Sequence, residues 1–148
     1  RVAKTILQKP FEIEVGGTKY SVPQPSIATL IMASEILCQF PNVELKEDTL
    51  VIDCLRSAKE FKCIGNVFAT LILGSKNINN TIETGKTLFG KKKEKVYDII
   101  SRKIVEDYTP MELTNMLVTL IDSLQIGFFF RLITSLQEVN TLKKTKTS

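Results

Sequence analysis

Phe11-Glu12-Ile13-Glu14-Val15-Gly16-Gly17-Thr18-Lys19-Tyr20-Ser21-Val22 reads as a β-hairpin, and the Pro23-Gln24-Pro25-Ser26 that follows marks where strands give way to helices. Phe11, Ile13 and Val15 alternate with Glu12 and Glu14, the period of a half-buried strand. Gly16-Gly17 supplies the positive φ angles that a tight hairpin turn requires. On the return strand Thr18, Tyr20 and Val22 share one face. Pro23 and Pro25 end the ladder, since neither has an N–H to donate and each biases its predecessor toward extended geometry. A two-stranded ribbon is marginal in water, so this one must lie on a helix, a third strand or another subunit. Residues 5–7 add a short strand-like stretch ahead of it.

Everything after Ser26 patterns as helix. Ile27, Leu30, Ile31, Ser34 and Leu37 keep the three-four spacing of an apolar stripe that stops before Pro41. Asp48 is placed to cap a long second helix whose stripe runs through Val51, Ile52, Leu55, Ala58, Phe61, Ile64, Phe68, Leu71 and Ile72, with Gly74 as its stop. Residues 77–93 are rich in Asn, Thr, Gly and Lys and read as a long mobile loop. A third helix follows over residues 96–105. Thr109-Pro110-Met111-Glu112 is a capping box with proline at the first helical position, and Tyr108 and Leu113 occupy the two positions of a hydrophobic staple. Leu113, Met116, Leu117, Leu120, Ile121 and Leu124 form the fourth stripe. After a break near Gln125 and Gly127, the last helix runs through Phe128, Phe129, Leu132, Ile133, Leu136 and Val139. The expected fold is therefore mainly α: an N-terminal β-hairpin followed by a bundle of about five helices. It forms one domain over residues 1–141, with a ribbon at 1–25, a helical body at 26–76 and 94–141, and a Lys/Thr-rich disordered tail at 142–148.

The 148 residues, 43% hydrophobic and 24% charged, suit one soluble globular domain. No apolar run reaches the roughly 18–20 residues that span a bilayer, and residues 1–4 have no signal-like apolar core, so a cytoplasmic setting without membrane is expected. Cys38, Cys54 and Cys63 are odd in number and lack C-x-x-C spacing, which predicts buried free thiols. There is no histidine. That removes the commonest general base, the commonest zinc ligand and every His-dependent triad, and no constellation of carboxylates or lysines replaces them. A non-enzyme with no cofactor and no metal is the expectation.

The net charge of +4 resolves unevenly. Residues 77–95 carry five basic and two acidic side chains, residues 96–141 carry three and six, and residues 142–148 carry three and none. The basic excess thus sits in a loop and the chain ends, not on a helix that could read a groove. Gly85-Lys86-Thr87 resembles the end of a phosphate-binding loop, but Asn80 stands where the first glycine belongs and no buried strand precedes it. Lys91, Lys92, Lys93 and Lys95 could meet phosphate groups, although no aromatic is interleaved among them to stack on bases. Phe128, Phe129 and Phe130 are consecutive, and a helix spreads three consecutive side chains over about 200° of arc. Either this helix is sandwiched inside the fold, or it presents an apolar patch to a partner or to a second copy of the chain. The candidate contact residues are Met116, Phe128, Phe130 and Leu132.

The order of these features resembles the small tail assembly chaperones of phages. The likeness lies in the ribbon of residues 11–22, the proline-rich link of residues 22–26 and the helix-only remainder. The resemblance implies a non-enzymatic protein that shields the long, apolar-helical tape measure protein before the tail tube assembles and that often self-associates. It transfers no site residue to this chain. Two other classes stay open. One is a nucleic-acid-binding accessory protein of a mobile element with basic arms at Lys91, Lys92, Lys93, Lys95 and residues 143–146. The other is a structural subunit whose ribbon pairs edge to edge with a neighbour.

Overall fold

The computed structural model describes residues 11–147, with side chains through Lys143; the strand-like stretch at residues 5–7 lies outside them. The described residues form six α-helices and two separate antiparallel strand pairs, so the fold is mainly α behind an N-terminal hairpin, as the pattern implies. Strands β1 (Phe11–Val15) and β2 (Thr18–Val22) pair in the expected register, with Phe11 opposite Val22, Ile13 opposite Tyr20 and Val15 opposite Thr18. Gly16 and Gly17 take φ of 58° and 82°, the primed turn that only glycine, and less readily Asn or Asp, adopts. The hairpin lays Val15 and Val22, both fully buried, on the helical body.

Helix α1 (Ile27–Leu37) is capped by Ser26, whose side chain accepts from the Thr29 N–H at 3.2 Å. Its inner face is Thr29, Ala33 and Ile36, not the expected Ile27–Ile31–Ser34 line; Ile27 and Ile31 stay exposed. The rotation has a polar cause. Thr29 Oγ1 accepts the Ser75 N–H at 2.9 Å and sits 3.1 Å from Ser26 Oγ, so a buried hydroxyl is fully employed there.

The long second helix is interrupted. A single turn at Glu47–Thr49 leads into α2 (Leu50–Ser57), a tighter turn follows at Ala58–Phe61, and α3 (Ile64–Leu73) then runs to Gly74, whose N–H meets the Thr70 carbonyl. Thr49, not Asp48, stands at the N-cap position; its hydroxyl donates to Asp53 Oδ2 at 2.7 Å. The break lets two packing demands coexist. Phe61 turns toward Phe40, with ring centroids 5.2 Å apart, while Gly65 lies flat against α4 (Val96–Asp107). α2 buries no residue, so the expected core stripe through Val51 and Leu55 is uncovered. Cys38 and Cys54 are likewise exposed and free, and Cys63 is half-buried; the expected burial of these thiols does not hold.

α3 is the centre of the protein. Gly65 and Val67 through Leu73 are buried, and Phe68 and Ile72 meet a core that also contains Ile100 and Ile104 of α4 and Leu120 of α5 (Pro110–Ser123). A methyl group added at Gly65 would overlap the Ser101 carbonyl oxygen, so α3 and α4 cross at backbone contact. Gly65→Ala should therefore destabilise the protein by about 2 kcal/mol in urea unfolding. Overpacking costs about 3 kcal/mol and the helix propensity of alanine returns about 1. An unchanged midpoint would mean the crossing is looser than described.

α5 begins with both halves of its capping box formed: Thr109 Oγ1 accepts from the Glu112 N–H at 3.3 Å and Glu112 Oε2 from the Thr109 N–H at 3.2 Å. Tyr108, just ahead of it, does a second task that its sequence position does not announce. Its hydroxyl accepts the Gly16 N–H at 3.0 Å and donates to the Glu14 carbonyl at 3.4 Å, tying the hairpin tip to the α4–α5 corner. Tyr108→Phe should cost about 1 kcal/mol and speed exchange of the Gly16 amide roughly fivefold.

Two expectations about irregular segments are overturned. The loop at residues 77–93 is mostly a second hairpin, β3 (Thr81–Thr87) with β4 (Gly90–Lys95), closed at its base by the Val96 N–H on the Asn80 carbonyl at 2.9 Å. Apart from the hairpin tip, turn geometry is confined to residues 78–79; beyond them Thr81, Ile82, Thr84 and Thr87 are β-prone, and Glu83 faces Lys93 across the ladder. The tail at residues 142–148 is also not irregular through Thr147: helix α6 (Ile126–Thr147) includes it. No Gly or Pro interrupts the run after Gly127, and Leu142 continues the spacing of Val139.

Candidate protein-binding surface

α6 leaves α5 at an angle of 52° through Gln125, the one non-glycine residue with positive φ (50°) among those described. The bend turns α6 off the body after its first turns. Phe129 is half-buried there, and with Phe128, Pro25, Ile27, Leu30 and Leu132 it lines a shallow, mostly apolar cleft of about 190 Å³. Beyond this corner the helix is uncovered. Phe128 is 65% exposed and Phe130 59% exposed, and Leu136, Val139 and Leu142 are open as well. The helix is therefore not sandwiched inside the chain, and of the three phenylalanines Phe129 is half-buried, Phe128 borders the cleft with its ring exposed, and Phe130 is exposed away from it. Arg131 places its guanidinium 5.7 Å from the centroid of the Phe128 ring, a contact worth about 0.5–1 kcal/mol at an exposed site.

Of the four candidate contact residues, Phe128, Phe130 and Leu132 lie together on α6. Met116 does not join them: it is half-buried on α5 and packs against the core. The helical pattern left this open, because Met116 falls on the same stripe as Leu113 and Leu120, and Leu120 is fully buried. A second uncovered apolar surface lies on α2, where Val51 and Leu55 are largely exposed. Their three-four spacing was legible, but spacing says which residues share a face and not whether anything covers it.

The lysines of the alternative reading stand on β4. Lys91, Lys93 and Lys95 share one face and Lys92 the other, as the strand period dictates. Lys91 Nζ is 3.5 Å from Glu83, and Lys95 Nζ donates to Asn79 Oδ1 at 3.4 Å. A bond from the Thr84 side chain, followed by the neighbouring Arg102 guanidinium at 3.3 Å, holds the Glu94 carboxyl below its ordinary pKa. Burial raises the Tyr20 phenol, partly opposed by a bond with Thr18. Sequence reasoning missed the apex of this hairpin: Leu88 and Phe89 are fully exposed there. The signal was the strand-prone run on each side of Leu88-Phe89-Gly90.

Among the described residues, no three His, Cys, Asp or Glu side chains converge as a metal site. No single described helix is long and apolar enough to cross a membrane; α5 and α6 meet that criterion only jointly, across the bend. Comparison with known proteins finds no family model, no curated protein and no solved structure that matches this chain.

Proposed function

We propose that this is a non-enzymatic binding protein of an assembly process, which uses α6 to cover apolar helical surface on a protein client and on a second copy of itself. The observation that carries the reading is the state of α6: a helix of 22 residues, about 33 Å long, docked at one corner and bearing exposed apolar side chains from Ile126 to Leu142. Exposed apolar area on this scale marks an interaction site. Capture would follow the helix-in-groove mode, with Phe128, Phe130 and Leu132 as anchors and a client helix entering beside them. Extending the resemblance to phage tail assembly chaperones, the client is a long, apolar-helical tape measure protein met in the cytoplasm.

Light scattering coupled to size exclusion, run across protein concentration and at low and high salt, tests this directly. The expected result is a dimer or larger species that grows with concentration and persists at high salt, because apolar contacts are not screened. A strict monomer that also leaves a synthetic leucine-rich amphipathic helix unbound would overturn the proposal.

A further inference from the structure

The β3–β4 hairpin is a projecting arm: every residue of β3 and nearly all of β4 is exposed. Its apex breaks a local rule. Thr87 pairs with Gly90, so Leu88 and Phe89 form the whole two-residue loop, where Asn-Gly or Asp-Gly is the usual choice. Neither takes positive φ; Gly90 does so after them, at 134°. Two bulky apolar side chains therefore occupy the most solvent-exposed point of the fold, where they stabilise nothing in the chain itself. Thr87 Oγ1 donates to the Gly90 carbonyl at 2.9 Å and closes the turn, so what the fold does not account for is the full exposure of Leu88 and Phe89, the mark of a functional position.

Charge is graded along the same arm. At roughly 3.4 Å per residue, Lys86 and Lys91 lie about 7 Å behind the apex and Lys92 about 10 Å behind it. By the strand register Glu83 lies level with Lys93, about 14 Å back, and Glu94 about 17 Å back, toward the base. They are engaged there, with Lys91 at 3.5 Å and Arg102 at 3.3 Å. The headgroup layer on each side of a bilayer is about 5–8 Å thick, and the screening length near physiological salt is about 8 Å. An apex buried in the acyl boundary would thus set Lys86, Lys91 and Lys92 among lipid phosphates and hold both acids behind the headgroup layer. The exposed Lys91–Glu83 pair is weak enough to open toward such a phosphate.

The geometry points to an anionic lipid surface as the partner of this arm, with Leu88 and Phe89 as the inserting pair and Lys86, Lys91 and Lys92 as the headgroup contacts. A nucleic-acid duplex fits less well. Between Thr81 and Lys95 there is no Arg, Asn or Gln to read base edges and no aromatic along the strands. The inference uses no residue of α6.

The chain has no tryptophan, so Phe89→Trp places a single reporter at the apex. Full-length Phe89→Trp protein would be mixed with phosphatidylcholine vesicles, with the same vesicles containing about a third phosphatidylserine, and with a short DNA duplex. The expected result is a blue shift on the anionic vesicles alone, weakened as salt is raised. In co-flotation, Leu88→Ser/Phe89→Asn should lower partitioning about 100-fold relative to the unmodified chain. Ser and Asn favour turns, so the arm keeps its fold in that variant. Vesicle binding unaffected by the double variant would place membrane affinity on α6 and overturn the inference. So would failure to bind vesicles at all, or a response to the duplex instead.

Discussion

Phe68→Ala should lower the unfolding free energy by about 4 kcal/mol, while Phe128→Ala, the same chemical change, should cost only about 0.5 kcal/mol in dilute protein. Phe68 is 2% exposed in the middle of α3, packed among Ile72, Ile100 and Ile104, and its removal leaves a cavity that backbone contact at Gly65 prevents from collapsing. Phe128 gives up an exposed ring and its Arg131 contact and leaves no void. Denaturant titration of both variants, read as midpoints at unchanged slope, separates the two cases. The comparison also tests the binding surface. Equal costs would mean that α6 packs within the monomer and that its phenylalanines belong to the core.

The sequence holds eight phenylalanines and ranks none of them by burial. What it does hold is local: the period-two alternation and paired glycines of the first hairpin, the capping box at Thr109, the stop at Gly74. Each is written in a few consecutive residues whose backbone consequences need no partner. Three things were not legible, and for one physical reason: each depends on what another element does. The inner face of α1 is set by Thr29 satisfying Ser75, 46 residues away. The interruption before α3 reflects Phe61 turning to Phe40 while Gly65 meets Ser101. The stripe on α2 is genuine as periodicity, but its Val51 and Leu55 stay exposed among the described residues. The second hairpin was missed differently, because its lysines and asparagines outweighed a threonine-rich strand alternation that was present. For the binding surface, three consecutive phenylalanines at the start of α6 did signal that one helix face could not hide them all; only the bend at Gln125 shows which one docks.

Phe130→Asp should weaken self-association about 1,000-fold while leaving the thermal midpoint of the dilute protein nearly unchanged. Phe130 is 59% exposed in the isolated chain and is not a member of the core cluster, so an aspartate there is solvated in the monomer. In a two-fold symmetric contact the residue is lost from both copies. Each lost ring removes about 2 kcal/mol of burial, and the pair together removes about 4 kcal/mol, which is the 1,000-fold change in dissociation constant. Placing two carboxylates in a desolvated contact adds to this. Sedimentation or light scattering of the variant beside Phe130→Leu distinguishes shape from apolarity, since leucine keeps most of the buried area. If both variants associate like the unmodified chain, α6 is not the interface, and the uncovered stripe of Val51 and Leu55 on α2 becomes the surface that joins copies. If Phe130→Asp instead unfolds the dilute protein, the ring contributes to a monomer core and the docking reading of α6 fails with it.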